Sequence, residues 1–263
     1  DYNLLTAGGG SIGGTTSTNK MVWSTATDTL ADFTTALTTG SSLFIGSDPT
    51  SSITSGEYSN AVGVAAMANV EGGGRNDAFG YAALNALTAG WYNVAMGSET
   101  LKNVTGADYN TYIGYNAGIT RVAGDRSVAI GFVAGARPTG NDNTFVGAYA
   151  GSGASSPTTA HSNVAVGRDS LLNVSSGYNN VILGHSAGKA ITTETYNVFI
   201  GRDAGSGSAG TVQSVLIGAN AGKVSTGDNA VFIGYNAGAA WTSGDRQIGI
   251  GYQTLEASTS GIY

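Results

Sequence analysis

Short apolar segments that end in a glycine recur along most of the chain. These glycines stand 16 or 17 residues apart and, once, 20. A fixed period of this length is typical of a solenoid, in which each copy forms one coil. Seventeen residues are too few for a helical hairpin, and the apolar positions do not recur at helical spacing. The pattern predicts an all-β, parallel β-solenoid (β-roll) of about 13 coils over residues 42–263, with these anchor glycines: Gly46, Gly63, Gly80, Gly97, Gly114, Gly131, Gly147, Gly167, Gly184, Gly201, Gly218, Gly234 and Gly251.

The residue before each anchor glycine is apolar in every copy, and the residue two positions earlier is mostly Val, Thr or Ile. Alternate residues of a strand share one face, so these two positions lie on the same side. We expect that side to face the inside of the coil. The predicted core column is Ile45, Val62, Phe79, Met96, Ile113, Ile130, Val146, Val166, Leu183, Ile200, Ile217, Ile233 and Ile250.

The position between these two would then face outward, where a strand with one exposed face normally carries polar residues. Here it is uncharged in every copy and often large and apolar. Such a stripe exceeds the apolar patch that a monomer usually exposes, which favours burial against further copies of the chain. The expected assembly is a homotrimer around the solenoid axis, although an internal sheet layer within one chain also fits. The predicted interface residues are Phe44, Tyr112, Phe145, Ile182, Phe199, Leu216 and Phe232.

The corners of the coils also repeat. Asn or Ser precedes most of the strands, for example at Asn93, Asn180 and Ser214. These side chains favour turns and can form hydrogen-bonded ladders from coil to coil. Four residues after the anchor stands either Gly or a long aliphatic residue, as at Gly118 and Leu171. The sequence therefore predicts two types of coil.

Composition and charge exclude several classes of protein. The chain has 42 Gly but only 3 Pro, and its glycines do not fall at every third position, which excludes a collagen helix. A net charge of −6 and scattered Lys and Arg exclude a phosphate-binding stripe, so no nucleic-acid partner is expected. No apolar run reaches the ~20 residues that cross a bilayer, so no membrane insertion is expected. Cysteine is absent, which removes disulfides and thiolate chemistry.

Strings that resemble catalytic or metal-binding motifs are explained by the repeat. GHSAG at 184–188 fits the G-x-S-x-G pattern of a hydrolase nucleophile, but Ser186 occupies a position that holds Asn or Asp in other copies. The histidines, His161 and His185, lack ligand partners at suitable spacing. We therefore expect no catalytic residue, no metal site and no cofactor. Aromatic residues after several anchors, such as Tyr115 and Phe132, fit packing between coils or chains better than stacking on sugars.

The longest interval lies between Gly147 and Gly167 and has 20 residues. A solenoid accepts extra residues at corners that face away from its contacts, and exposed loops often carry recognition. The sequence predicts a lateral recognition loop here, with a neutral spacer as the alternative. Its residues are Ser155, Ser156, Pro157, Thr158, Thr159 and His161.

Two groups of copies resemble repeats of known fibrous proteins. RSVAIGFVAGA at 126–136 resembles the coil of trimeric autotransporter adhesin heads. ALNALTAGWYNVAMG at 83–97 and SLLNVSSGYNNVILG at 170–184 look like the tandem Asn/Gly repeats of phage tail fibres. The pattern that the two kinds of repeat share is N-x-x-[IV]-G-x-x-A-G. The longer coil here favours the phage comparison. The resemblance implies a left-handed β-roll, three chains side by side, and a rigid fibre that recognises a cell surface.

Together these features predict a structural and adhesive fibre protein without enzymatic activity, on a virion surface or otherwise extracellular. Its expected partners are two further copies of the chain and a host or cell-surface receptor, either glycan or protein. The alternatives are a bacterial surface adhesin, an extracellular filament subunit, or a glycan-binding or ice-binding solenoid. Residues 1–41, rich in Thr, Ser and Gly, lie outside the repeat and are expected to attach or cap the repeat domain at 42–263.

Overall fold

The structure, a computed structural model, describes residues 58–153, 158–242 and 244–256, together with the backbone of the strand Leu43–Ile45. The predicted attachment or capping segment 1–41 lies outside these residues. Within the described residues every regular element is a short parallel strand, and none is a helix. The all-β prediction is therefore confirmed.

Most of the strands stack into one long parallel sheet. Its order is β1-β2-β4-β6-β7-β8-β9-β10-β11-β12-β13-β14-β15, and β3 pairs with β5 in a second, two-stranded sheet. From β2 to β15 the chain makes about 11 turns of a parallel β-solenoid. In chain order the strands are β1 (Leu43–Ile45), β2 (Asn60–Val62), β3 (Gly72–Gly74), β4 (Asp77–Phe79), β5 (Ala89–Trp91), β6 (Val94–Met96), β7 (Thr111–Ile113), β8 (Val128–Ile130), β9 (Thr144–Val146), β10 (Val164–Val166), β11 (Val181–Leu183), β12 (Val198–Ile200), β13 (Val215–Ile217), β14 (Val231–Ile233) and β15 (Ile248–Ile250).

The anchor glycines are required by the contact between successive coils. From Gly63 to Gly251 their φ angles lie between 130° and 141°, a region that side chains with a Cβ rarely adopt. From Gly63 to Gly234, an added Cβ would lie 2.3–2.6 Å from the carbonyl oxygen of the next anchor glycine. The stacking of identical turns therefore leaves no space for any other residue in this column.

Buried asparagines before the strands link the coils, as the sequence predicts. Asn180 shows the pattern: its backbone N–H and its side-chain amide both donate to the Oδ1 of Asn163, at 3.1 and 2.9 Å. The same amide also donates to the carbonyl of Glu194 at 2.9 Å, and the Oδ1 of Asn180 accepts the N–H of Asn197 at 3.0 Å. Every polar group of this buried side chain is thus paired, so its hydrogen bonds compensate for the cost of desolvation.

The central residue of each strand in the long sheet faces the inside of the coil. The sequence pattern predicts this residue on the outside, so that assignment of the inward and outward faces is wrong. In the strands of the long sheet from β2 to β14 this residue is 0% exposed, including the predicted interface residues Tyr112, Phe145, Ile182, Phe199, Leu216 and Phe232. For Phe44 and Ile45 the side chains lie outside the described structure. The predicted core residues that the structure describes lie on the outer face and are partly or largely exposed: Val62, Phe79, Met96, Ile113, Ile130, Val146, Val166, Leu183, Ile200, Ile217, Ile233 and Ile250.

The interior is filled by complementary residues at two positions of each coil. Where the central strand residue is small, a long side chain follows four residues after the anchor, as with Ala165 and Leu171, both fully buried. Where the central residue is large, that position is glycine, as with Phe199 and Gly205. A Cβ on Gly205 would lie 2.4 Å from the Phe199 ring. The two positions share one volume, so both must face inward.

One coil has small residues at both positions, Ala129 and Gly135, and its neighbours fill the space. A Cβ on Gly135 would lie 3.1 Å from the Phe145 ring and 3.3 Å from the Tyr112 ring, which belong to the coils on either side. The fully buried Arg121 also extends into this coil, where its guanidinium donates to the carbonyl oxygens of Pro138 at 2.6 Å and Gly140 at 3.2 Å. Arg121 thus fills the core as well as bonding to the backbone.

Candidate functional site: the outer sheet face and its flanking corners

The outer face of the long sheet is apolar along its length. Each strand presents its first and last residues outward, and from β2 to β15 these are apolar except at Asn60, Asp77, Thr111 and Thr144. Several are well exposed in the single chain, such as Met96 at 40% and Ile250 at 64%. We call this surface the outer sheet face.

The outer sheet face is large for an exposed apolar surface. Strands in a sheet lie about 4.8 Å apart and rise about 3.3 Å per residue, so twelve three-residue strands cover on the order of 500 Å². Contiguous apolar patches of this size are at the upper end of what monomers expose and often mark a functional surface. A surface made mostly of β-branched residues, with few hydrogen-bonding groups, is suited to packing against another apolar surface.

Exposed aromatic residues line both edges of the outer sheet face. At one corner, Tyr92 and Tyr109 are stacked with centroids 5.0 Å apart and planes 6° apart. Arg75 continues this stack, since its guanidinium lies 5.2 Å from the Tyr92 ring centre. At the other corner, Tyr115 and Phe132 are stacked at 5.5 Å. Tyr115 and Phe132 thus pack between coils, which is one of the two arrangements expected from the sequence. The aromatic stacks widen the apolar surface on both sides.

Three of the six residues in the predicted recognition loop lie within the described structure. Ser155, Ser156 and Pro157 lie outside the described residues. Thr158 is 4% exposed and its carbonyl accepts the backbone N–H of Thr139 at 2.6 Å, so it belongs to the coil wall. Thr159 and His161 are exposed. The His161 ring stacks on Tyr178 with centroids 4.9 Å apart, which fixes its orientation.

The serine of the G-x-S-x-G string sits in a repeated turn. Ser186 has a φ of 56°, and the equivalent residues Asn116 and Asp203 have 57° and 58°. Its N–H donates to the carbonyl of Arg168 at 2.9 Å, a contact between coils. A nucleophile elbow needs a strand–turn–helix arrangement, and this segment is a solenoid corner. The geometry gives Ser186 a structural role.

The described residues contain neither a metal-binding cluster nor a membrane-spanning helix. In the ranges 58–153, 158–242 and 244–256, no three His, Cys, Asp or Glu side chains are grouped so that they could hold a metal ion. In those ranges there is also no helix with the length and apolar character needed to cross a membrane.

A buried carboxylate holds two coils together. Glu194 accepts the backbone N–H of Thr193 at 2.8 Å and that of Gly210, in the next coil, at 2.6 Å. It also accepts the N–H of Thr192. Burial by itself would raise the pKa of this carboxyl, but the hydrogen bonds from Thr192, Gly210 and Thr193 outweigh it and hold the pKa below its ordinary value of 4.5.

We expect acid to remove the contribution of Glu194 to stability. Because its pKa is lower in the folded state than in the unfolded state, the stabilisation is present above about pH 4.5 and is lost as the pH falls through the folded-state pKa. The variant Glu194→Gln should be less stable than the parent by about 1 kcal/mol near neutral pH. Urea unfolding at a series of pH values should show this difference shrinking as the pH falls below about 4.5. A difference that stays constant with pH would contradict the assignment.

The chain was also compared with known proteins. No protein family, no curated protein and no solved structure matches it.

Proposed function

We propose that this chain is a structural and adhesive fibre protein. It forms a left-handed β-solenoid of thirteen coils, and three copies pack side by side around a common axis. The assembly is a rigid element on a virion surface, most closely comparable to a phage tail or head fibre, or on a bacterial surface. There it attaches to a glycan or protein receptor. It works by binding and by stiffness, without catalysis.

The observation that carries this proposal is the outer sheet face. In water its exposed valines and isoleucines are unfavourable, and burial of apolar area contributes roughly 25 cal/mol per Å² before the costs of association. A patch on the order of 500 Å² per chain, with aromatic rows at both edges, approaches the ~800 Å² per partner of a standard interface. A second copy carries the same surface, which makes closed symmetric assembly the simplest way to cover it.

Further support comes from the stiffness of the coil stack. Each coil is joined to the next by strand pairing, by the buried asparagine ladder and by contact between anchor glycines. A shaft built in this way resists bending at every coil, which suits a spacer that holds a receptor-binding surface away from its base. The sequence resemblance to tail-fibre and adhesin repeats points the same way.

The ice-binding alternative depends on a free array of hydroxyl groups. A Thr/Ser column does follow the solenoid, but its hydroxyls bond between coils: Thr88 donates to the carbonyl of Thr105 at 3.0 Å, and Ser175 donates to that of Thr192 at 2.9 Å. These groups hold the coils in register. The column therefore adds no support for an ice-binding surface.

The trimer is tested by charging the outer sheet face. The double variant Val215→Lys/Ile217→Lys places two lysines on the outward positions of β13, where desolvation of unpaired charges opposes packing. The expected result is a shift from a trimer to a monomer in analytical ultracentrifugation, with far-UV circular dichroism unchanged. The control, Ser176→Lys/Ala209→Lys, adds the same charge at exposed positions about halfway round the coil and should remain trimeric.

Three results would count against this assembly. A parent chain that is monomeric at micromolar concentration would refute self-association. A parent dimer would refute the threefold arrangement. A lysine variant on β13 that remains fully assembled would show that the outer sheet face is not the interface.

A further inference from the structure

One corner of the solenoid carries a column of aligned residues, which we call the corner column. The alignment is fixed by backbone hydrogen bonds. The N–H of Asp142 donates to the carbonyl of Asp125 at 3.1 Å, and that of Ser162 donates to the carbonyl of Asn141 at 3.0 Å. The same bond repeats in earlier and later coils, and His161 pairs with Tyr178 in a parallel bridge. These contacts define the column as Trp91, Asp108, Asp125, Asn141, His161, Tyr178, Thr195, Val212, Asp228 and Asp245.

In several coils the backbone N–H of a corner-column residue is capped by a side chain of the next coil. The N–H of Trp91 donates to the Oδ1 of Asp108 at 2.8 Å, and that of Asp108 donates to the Oδ1 of Asp125 at 3.0 Å. The N–H of Asp125 donates to the Oδ1 of Asn141 at 2.9 Å. Val212 is capped by Asp228 in the same way, at 2.9 Å. The acceptor is thus a carboxylate or an amide oxygen.

Among the described residues no such cap is seen from Asn141 to Thr195, and the series resumes at Val212. The next member of the column is His161, whose ring is held by stacking on Tyr178. Among the described residues, no acceptor is bonded to the backbone N–H of Asn141. At this position lies a depression of about 290 Å³, lined by Gly140, Asn141, Asp142 and His161. Asn141, whose backbone N–H lacks such a cap, therefore lines an open depression close to the size of a small-molecule site.

The groups around the depression can act on both the charge and the hydroxyls of a ligand. The backbone N–H of Asn141 and the His161 ring can donate to a carboxylate, as the N–H groups of the capped coils do. The amide of Asn141 and the carboxylate of Asp142 can bond to hydroxyl groups. Asp142 is already paired with Arg126, at 2.8 and 3.3 Å, which reduces its repulsion of a second carboxylate.

We propose that this depression binds a sugar acid, with the ligand carboxylate in the place that Asp125 occupies on Asp108. The ligand class is a uronic acid unit of a surface polysaccharide. The inference rests on the proposed function, because it names a receptor chemistry for the fibre. It also gives His161, the exposed end of the predicted recognition loop, a definite role. The sugar ring of the ligand, with its hydroxyl groups, lies over Asn141 and Asp142.

The test uses sodium glucuronate as the probe and glucose as the uncharged comparison, with isothermal titration calorimetry and ¹⁵N chemical shifts of the assembled protein. Glucuronate should bind at millimolar concentration and shift the Asn141 amide signal, and glucose should bind at least about tenfold more weakly, which corresponds to about 1.4 kcal/mol. The key variant is His161→Asp. This variant places a carboxylate of the protein next to the uncapped N–H of Asn141, where the ligand carboxylate would otherwise bind. Glucuronate binding should therefore fall at least tenfold, without loss of thermal stability.

The matched control is His185→Asp, which makes the same change at an exposed position of another corner and should bind glucuronate like the parent. Equal binding of glucose and glucuronate would overturn the role of the carboxylate. Undiminished binding by His161→Asp would overturn the site. If the parent binds neither sugar, the inference fails, whereas the fibre proposal is judged separately by the mass of the assembly.

Discussion

The variant Phe199→Asp is expected to abolish folding of the solenoid. Phe199 is 0% exposed and lies in register between Ile182 and Leu216 of the neighbouring coils. A carboxylate there would be buried without a partner, at a cost of several kcal/mol, in addition to the loss of about 3–5 kcal/mol of packing. Because each coil is stabilised by its neighbours, the damage should spread along the stack. Expression should yield aggregated chain without the far-UV circular dichroism of a β-sheet.

The adjacent variant Ile200→Asp is the matched control. Ile200 lies on the outer face of the same strand, so its carboxylate can remain in water when the chain is monomeric. This variant should keep the β-sheet spectrum and lose self-association. The core assignment made from sequence alone predicts the opposite, namely that Ile200→Asp prevents folding. If Ile200→Asp fails to fold and Phe199→Asp folds, the faces in the structure are reversed.

The fold class could be predicted because stacking requires repetition. Every coil must present the same backbone to its neighbour, so the anchor glycines and the asparagines before the strands recur at fixed spacing. Their roles follow from elementary chemistry: a glycine permits close approach, and an amide can both donate and accept between coils. The ladder expected of the asparagines is confirmed by the contacts of Asn180, and the close approach at Gly184 supplies the reason for the glycine column.

Alternation along the strands could not show which face points into the core, because the residues on both faces are apolar. The β-branched outer residues look like a core, whereas the true interior column contains alanines such as Ala165. The sequence does hold a usable signal, which is the exchange of size between two positions of one coil. Ala165 is paired with Leu171, and Phe199 with Gly205, and such compensation occurs only between residues that share a volume.

The candidate binding depression was beyond sequence reasoning for a different reason. The sequence draws attention to His161 because this residue lies within the longest interval, not because of its contacts. The depression depends on a backbone N–H of Asn141 and on the register that places His161 beside it. The sequence does not show whether a backbone N–H has an acceptor. What the sequence does contain is the change from Asp and Asn to His and Tyr along the corner column.

Replacement of an anchor glycine should be among the most damaging single changes in the chain. In Gly184→Ala the new Cβ would lie 2.4 Å from the carbonyl oxygen of Gly201, and the φ of 138° is unfavourable for alanine. The oxygen belongs to the backbone of a strand-paired coil, so it can move only if the stack opens. Strain and overpacking together should cost roughly 3–5 kcal/mol in urea unfolding, or prevent folding.

Gly210→Ala separates these two causes. Gly210 also has a positive φ, 87°, but an added Cβ would meet no atom within 4 Å. Only the backbone strain applies there, so the expected loss is about 1–2 kcal/mol. A smaller loss for Gly210→Ala than for Gly184→Ala would show that close contact between coils makes the anchor glycine indispensable. Equal losses for the two variants would mean that φ alone selects glycine, and the coils would then be less tightly stacked than the structure has them.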